Sequence, residues 1–168
     1  SYYRAQQVEH ERHVKSLQAL RGAAAVSADG YPVELHANVE LPGDFVAARN
    51  VGAAGVGLYR TEFLYMDRRD NPDEEEHFRA YRALIDSVEG KPVTIRTLDI
   101  GVDKDFDVDT SRIAGPNPAL GLRAIRFSLT QPELYWPQLR AIIRASAFGP
   151  VRLMIPMLSN LDEARGVV

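Results

Sequence analysis

Cysteine is absent from this chain of 168 residues, and tryptophan occurs only once. The missing cysteine excludes disulfides, thiolate chemistry and cysteine-ligated metal sites within the chain, and it fits a cytoplasmic protein. An apolar run that could span a bilayer and a signal-peptide pattern are also lacking, so no membrane partner is expected. Cationic residues are not in excess, and the net charge of -3 argues against a nucleic-acid partner.

The composition is that of an ordinary globular domain. Hydrophobic residues make up 45% and charged residues 26% of the chain, which is long enough for one domain with a core. A helical pattern begins at the first residues, and another starts shortly before Val168. We therefore expect a piece of a longer protein, with a connecting helix and linker at residues 1–24 and a partial (β/α) domain at residues 25–168.

Four stretches have the apolar pattern of strands, and helical stretches separate them. Alternating strands and helices predict a parallel sheet covered by helices. Four strands form either a small open α/β sheet or the first half of a TIM-type (β/α)8 barrel, which needs about 250 residues when complete. We favour the half barrel because arginines lie at the C-terminal ends of the strands, where such barrels keep their active sites. The strands are predicted at residues 33–39, 55–61, 93–98 and 151–157, the last of them buried.

The helix after the second strand has the clearest pattern. Asn71 is predicted as its N-cap, Pro72 as its first residue and Gly90 as its end, with an acidic first turn at the positive end of the helix dipole. His77, in that acidic turn, is predicted to lie on the surface. A later helix begins near Pro132 and carries apolar residues at helical spacing that we assign to the core: Leu134, Trp136, Leu139, Ile142 and Ile143.

Three arginines, Arg60, Arg96 and Arg123, each follow a short apolar run. A guanidinium presents a planar set of donors that matches two oxygens of a carboxylate or phosphate. Because successive strands of a parallel sheet end at the same edge, these arginines predict one site for a small, highly charged anion. The alternative is that they form ion pairs with neighbouring acids, Arg60 with Glu62 and Arg96 with Asp99.

The segment at residues 101–119 has little periodicity and many aspartates, which is typical of a functional loop. Lys104 in this segment either closes over a phosphate as a point charge or lies in a solvated turn. The alternating aspartates that start at Asp103 do not form a calcium loop, since Val108 and Ala114 occupy the positions that need glycine and glutamate. No metal-ligating set is predicted in the chain.

Several long motifs resemble a known family. The run GLYRTEFL at residues 57–64 is similar to the phosphoenolpyruvate (PEP)-utilising enzymes, and within them to the Enzyme I branch of the bacterial sugar phosphotransferase system. The resemblance extends over nearly the whole chain, through residues 66–68, 96–101, 103–104, 117–126, 140–146 and 154–157.

The resemblance implies a PEP-binding (β/α)8 barrel in a larger, dimeric, cytoplasmic transferase. It implies that PEP is bound by Arg60, Arg96, Arg123 and Lys104, and that Mg²⁺ bridges PEP oxygens. The implied reaction transfers the phosphoryl group of PEP to a histidine and then to a phosphocarrier protein. The acceptor histidine, the metal ligands and an acid cysteine would all lie outside this chain. We therefore expect no catalytic residue in it, and no activity from it alone.

Two other hypotheses stay open from the sequence. The chain could belong to a pyruvate phosphate dikinase or a PEP synthase, which couple PEP to a nucleotide. An upstream nucleotide-binding domain would favour that branch. The chain could also be a dimerisation module without chemistry, in which case any PEP binding would be insensitive to Arg60→Ala.

Overall fold

A computed structural model describes residues 2–41, 43–66, 68, 70–100 and 121–167. Within these residues, four strands form one parallel sheet in the order β1-β2-β3-β4. Because all pairs are parallel, the C-terminal ends of the strands lie along one edge of the sheet. The predicted α/β class and all four predicted strands are confirmed, each strand being shorter than predicted: β1 (His36–Val39), β2 (Gly55–Tyr59), β3 (Val93–Arg96) and β4 (Val151–Met154).

Helices connect the strands in the described part of the chain. A short 3₁₀ turn at Glu62–Tyr65 lies after β2, and another at Ser146–Phe148 follows the helix that ends at Ala145. No helix in these ranges combines the length and the apolar character needed to cross a membrane. The helices are α1 (Tyr2–Gln18), α2 (Asp44–Asn50), α3 (Glu74–Ser87), α4 (Ile125–Thr130), α5 (Pro132–Ala145) and α6 (Leu161–Val167).

The main core lies between the sheet and helices α2, α3 and α5. Successive residues of a strand point to opposite faces, so Val93 and Ile95 pack against the helices while Thr94 and Arg96 face the other side. The last residue of β3 therefore presents its guanidinium away from the apolar layer. The fully buried residues of this core include Val39, Phe45, Val56, Tyr59, Tyr81, Leu84, Val88, Ala141 and Ala145.

The N-cap of α3 is Asp73, not the predicted Asn71. Asp73 Oδ1 accepts a hydrogen bond of 2.7 Å from Glu76 N, and Glu76 Oε2 accepts one of 2.9 Å from Asp73 N. This reciprocal capping box satisfies two amide donors at once, which Asn71 two residues earlier cannot do. The box also lowers the pKa of Glu76, since a backbone N–H donates to its carboxylate.

Replacing Asp73 by alanine is expected to lower the free energy of unfolding by about 1 kcal/mol. The substitution removes the acceptor for Glu76 N and leaves a helix amide without its partner. Urea unfolding of the two chains measures the difference. Asn71→Ala is the matched control and should change the stability by less than about 0.5 kcal/mol; an equal loss in both variants would contradict the assigned cap.

His77 is fully buried, and its predicted surface position is wrong. Its Nδ1 lies 3.0 Å from the hydroxyl of Tyr81 and its Nε2 lies 3.1 Å from the hydroxyl of Tyr65. Burial lowers the pKa of His77 to about 4. The acidic residues around His77 in the sequence suggested a solvated turn, but the tyrosine hydroxyls satisfy both ring nitrogens inside the protein.

Two other burial predictions are wrong. Trp136 and Ile143 are 44% and 69% exposed, whereas Leu139 and Ile142 are buried as predicted. The face of α5 that meets the core is formed by Tyr135, Gln138, Leu139, Ala141, Ile142 and Ala145. Leu153 and Met154 of β4 are 45% and 39% exposed. In the described residues β4 pairs only with β3, so one edge of this apolar strand lacks a neighbour.

Candidate functional site

Arg60 directly follows β2, at the C-terminal edge of the sheet. Its backbone N–H donates to Val39 O over 3.2 Å, and its Nη1 donates to Glu40 Oε1 over 2.6 Å. The predicted pairing with Glu62 is therefore wrong: the partner comes from the end of the neighbouring strand β1. The side chains of Arg60 and Glu40 are 44% and 61% exposed. An ion pair this exposed contributes about 0–1 kcal/mol, so an incoming anion can displace the carboxylate at little cost.

Arg96 ends β3 and lies deeper than Arg60, with only 19% of its side chain exposed. Its Nη2 donates to Glu62 Oε1 over 2.8 Å, and its Nη1 forms an ion pair of 3.3 Å with Asp99 Oδ2. The predicted pair with Asp99 is confirmed, and Glu62 is a second partner. Glu62 Oε1 also accepts from the backbone N–H of Asp99 over 3.0 Å. These contacts join the turns after β2 and β3.

Arg123 precedes α4 and, among the described residues, does not end one of the four strands as predicted, but it lies beside the same carboxylate. Its Nη2 and Nε donate to Asp99 Oδ1 over 3.0 and 3.3 Å. The next residue is fixed as well, since Ala124 N donates to Ile100 O over 3.1 Å. Asp99 therefore bridges Arg96 and Arg123, and it holds two guanidinium groups at one edge of the sheet.

The charges of this site balance without a ligand. Three arginines pair with three carboxylates, those of Glu40, Glu62 and Asp99. Among the described residues, two buried atoms of the cluster have no hydrogen-bond partner, Arg96 Nε and Glu62 Oε2. A buried guanidinium N–H without an acceptor is costly, and an oxygen of a bound anion would satisfy it.

The sequence also predicted one lysine, Lys104, for this site. Lys104 and the rest of residues 101–119 lie outside the described residues. In the part of the chain that the structure covers, no three or more His, Asp or Glu side chains are grouped so that they could hold a metal ion.

Arg126 has a structural position three residues beyond Arg123. Its Nε donates to Glu163 Oε1 over 3.1 Å, and its Nη2 donates to Ser159 Oγ over 3.2 Å. The pKa of Glu163 is lowered to about 2, first by the backbone N–H of Ser159 and also by Arg126. Arg126 therefore connects α4 to the start of α6.

A set of buried polar side chains behind the site was not predicted from the sequence. Thr61 Oγ1 donates to Arg96 O over 3.0 Å, and the amide of Gln138 contacts both Thr61 and the backbone of Leu98. Gln138 lies on α5, about forty residues from Leu98 in sequence. A lone glutamine in an apolar helical stripe carries no signal of such contacts, since its partners come from other elements.

Comparison with known proteins identifies relatives for this chain. Residues 14–168 match the family model described as the PEP-binding domain of PEP-utilising enzymes. The chain is 53% identical over 163 residues to the phosphoenolpyruvate-protein phosphotransferase of Cupriavidus necator, covering 96% of this chain and 28% of that protein. It is 51% identical over 152 residues to the protein of that name from Staphylococcus carnosus, covering 90% of this chain and 26% of that protein.

The chain thus spans little more than a quarter of the length of these relatives. The match agrees with the motifs that suggested the family, and the family prediction is confirmed. The match covers all but the first part of α1, and it includes Arg60, Arg96 and Arg123. This chain belongs to the PEP-binding domain family of the PEP-utilising enzymes.

Proposed function

We propose that this chain is the PEP-binding part of a PEP-protein phosphotransferase, and that Arg60, Arg96 and Arg123 bind PEP together with Lys104. The observation that carries the proposal is the Asp99 bridge between Arg96 and Arg123, at the edge of the sheet where Arg60 also lies. Three guanidinium groups at one edge suit a small ligand with a carboxylate and a phosphate. The names of the relatives support this substrate.

The arginines have a clear chemical role in such a reaction. Phosphoryl transfer depends mainly on positioning and on stabilising the negative charge of the transferred group. The guanidinium groups of Arg96 and Arg123 are already held by Asp99, so they need little reorganisation when the anion arrives. They would hold the phosphoryl group in line with the acceptor histidine, which this proposal assigns to another part of the whole protein.

The wider architecture of the proposal goes beyond the described sheet. Its four parallel strands in sequential order suit the first half of a (β/α)8 barrel, formed by residues 25–168 after a connecting region at residues 1–24. The whole protein would be a cytoplasmic dimer that passes the phosphoryl group to a phosphocarrier protein. The unpaired edge of β4 would then receive the next strand of the barrel.

The carboxylates of the described site do not fit a Mg²⁺ ligand set. Glu62 and Asp99 are both bound by arginine, and two guanidinium groups beside Asp99 disfavour a second cation. If the whole protein uses Mg²⁺, we assign its ligands to residues outside this chain.

Titration of the 168-residue chain with PEP tests the proposal. We expect saturable binding that weakens by about tenfold in Arg60→Ala, since one charge-assisted contact is lost at an exposed position. Glu40→Gln should instead strengthen binding by roughly twofold to fivefold, because it removes the carboxylate that competes for Arg60. Isothermal titration calorimetry gives both affinities.

A control and a contradicting outcome complete this test. Labelled PEP should leave no phosphoryl group on the chain, because the acceptor is assigned elsewhere. Binding that ignores Arg60→Ala and Arg96→Ala alike would contradict the proposed site and favour a dimerisation module without chemistry.

A further inference from the structure

Gln138 is a fully buried polar residue on the face of α5 that meets the sheet. Its Oε1 accepts from Leu98 N over 3.0 Å, and its Nε2 donates to Thr61 Oγ1 over 3.1 Å and to the Tyr81 hydroxyl over 3.2 Å. Both amide hydrogens and the carbonyl oxygen are therefore used. One side chain joins helices α3 and α5 to the turns after β2 and β3.

The directions of these hydrogen bonds are fixed by chemistry. The backbone N–H of Leu98 can only donate, so the amide oxygen of Gln138 must face it and the NH₂ group must face Thr61. The Thr61 oxygen thus accepts from Gln138, and its own proton goes to Arg96 O, 3.0 Å away. The Tyr81 hydroxyl accepts from Gln138, so its own proton is donated to His77 Nδ1. A ring nitrogen that accepts agrees with a neutral imidazole.

The two turns that Gln138 holds carry most of the arginine site. Thr61 lies between Arg60 and Glu62, and Leu98 directly precedes Asp99. Glu62 and Asp99 are the partners of Arg96, so a shift of either turn would move the carboxylates that orient its guanidinium. The hydrogen bonds of Gln138 go to Thr61, Leu98 and Tyr81 and not to these charged groups, so its effect on them passes through Thr61 and Leu98.

We propose that Gln138 is a positioning residue for the anion site, acting through Thr61 and Leu98 to set the spacing between the turns after β2 and β3. The inference rests on the proposed function, because it assigns Gln138 to the selective binding of PEP. A ligand with two acidic groups needs guanidinium groups from both turns at the correct spacing. Inorganic phosphate, which can bind to a single arginine, depends far less on that spacing.

The test compares PEP with inorganic phosphate as ligands of the full 168-residue chain. Gln138→Met keeps the side-chain volume but removes all three hydrogen bonds. We expect this variant to lose about tenfold or more in PEP affinity and less than about threefold in phosphate affinity. Tyr81→Phe is the matched control: it removes one hydrogen bond of Gln138 at the far end, together with the hydrogen bond to His77, and should change neither affinity by more than about twofold.

A purely structural role gives a different result. Both variants lower the unfolding temperature in either case, but with a purely structural role the PEP and phosphate affinities of Gln138→Met would change together. An unchanged ratio of the two affinities in Gln138→Met would overturn the proposal. Partial restoration of the ratio in Gln138→Glu, whose carboxyl oxygen can still accept from Leu98 N, would support it.

A second readout keeps the inference separate from the proposed function. If the wild-type chain binds no PEP, or if binding ignores Arg96→Ala, the proposed function fails. NMR then tests the positioning alone: Gln138→Met should speed hydrogen exchange of the Leu98 amide and shift the Arg96 Nε–H signal, whereas Tyr81→Phe should do neither. Unchanged exchange and an unchanged arginine signal in Gln138→Met would overturn the positioning role.

Discussion

Replacing Arg96 by alanine is expected to lower the PEP affinity of this chain by about 100-fold, or about 3 kcal/mol. Arg96 is the least exposed of the three site arginines, so its contact with an anion is less screened by water. Its removal also leaves Glu62 and Asp99 without the cation they share. The two carboxylates would then repel the ligand, and the loss should exceed that of Arg60→Ala.

The measurement is a PEP titration by calorimetry, with thermal unfolding to establish that each variant is folded. Arg79→Ala is the matched control, because it removes the same charge from an exposed position on α3. It should leave the affinity within about twofold of the wild type.

Arg96→Lys refines the same test. It keeps the positive charge but loses the planar set of donors that contacts Glu62 and Asp99 together, so we expect an intermediate affinity. A folded Arg96→Ala chain that binds PEP as tightly as the wild type would remove Arg96 from the proposed site.

The sheet was predictable because its signals are local. Each strand is a short apolar run bounded by residues that break regular structure, and the alternation with helices gives the parallel arrangement. The edge exposure of Leu153 and Met154 was not predictable from their own sequence. It depends on how many strands the described sheet contains, which no local pattern encodes.

The arginine site was predictable in part for the same reason. Arg60, Arg96 and Arg123 were selected because each follows an apolar run, and the contact between Arg96 and Asp99 spans only three residues. Glu40 was missed as the partner of Arg60 because it lies twenty residues earlier, and only the pairing of β1 with β2 brings the two together.

The buried polar residues behind the site were the least predictable. Gln138 and His77 are polar residues within amphipathic helices, and by composition alone such residues belong on the surface. Their burial is possible because hydroxyl and backbone groups of other elements satisfy them. The assignment of Lys104 to PEP stays a prediction, since it rests on the resemblance alone.

His77 is expected to make this chain lose stability as the pH falls from about 6.5 toward about 4. Burial favours the neutral imidazole, so the folded chain resists protonation until about pH 4, while the unfolded chain binds a proton at an ordinary pKa of 6.5. In this window the unfolded state holds more protons, and stability therefore decreases with decreasing pH. The shift corresponds to roughly 3 kcal/mol when the pH reaches the lower value.

The pH range from 6.5 to 4.5 separates the effect of His77 on stability from the effects of the carboxylates. The pKa values of Glu74, Glu76 and Glu163 are lowered by their hydrogen bonds, to arginine or to backbone N–H groups, so their contributions are lost mainly below pH 4.5. A decrease in stability between pH 6.5 and pH 4.5 therefore belongs chiefly to the buried imidazole.

Urea unfolding of the wild type and of His77→Gln at several pH values between 7 and 4.5 measures the effect. Glutamine can accept from the Tyr81 hydroxyl and donate to the Tyr65 hydroxyl, as the neutral imidazole does, but it does not titrate. We expect the free energy of unfolding of the wild type to fall by about 2–3 kcal/mol across this range and that of His77→Gln to stay nearly constant. Parallel pH profiles for the two chains would mean that His77 keeps its ordinary pKa in the folded protein, and that its burial does not disfavour the charged ring.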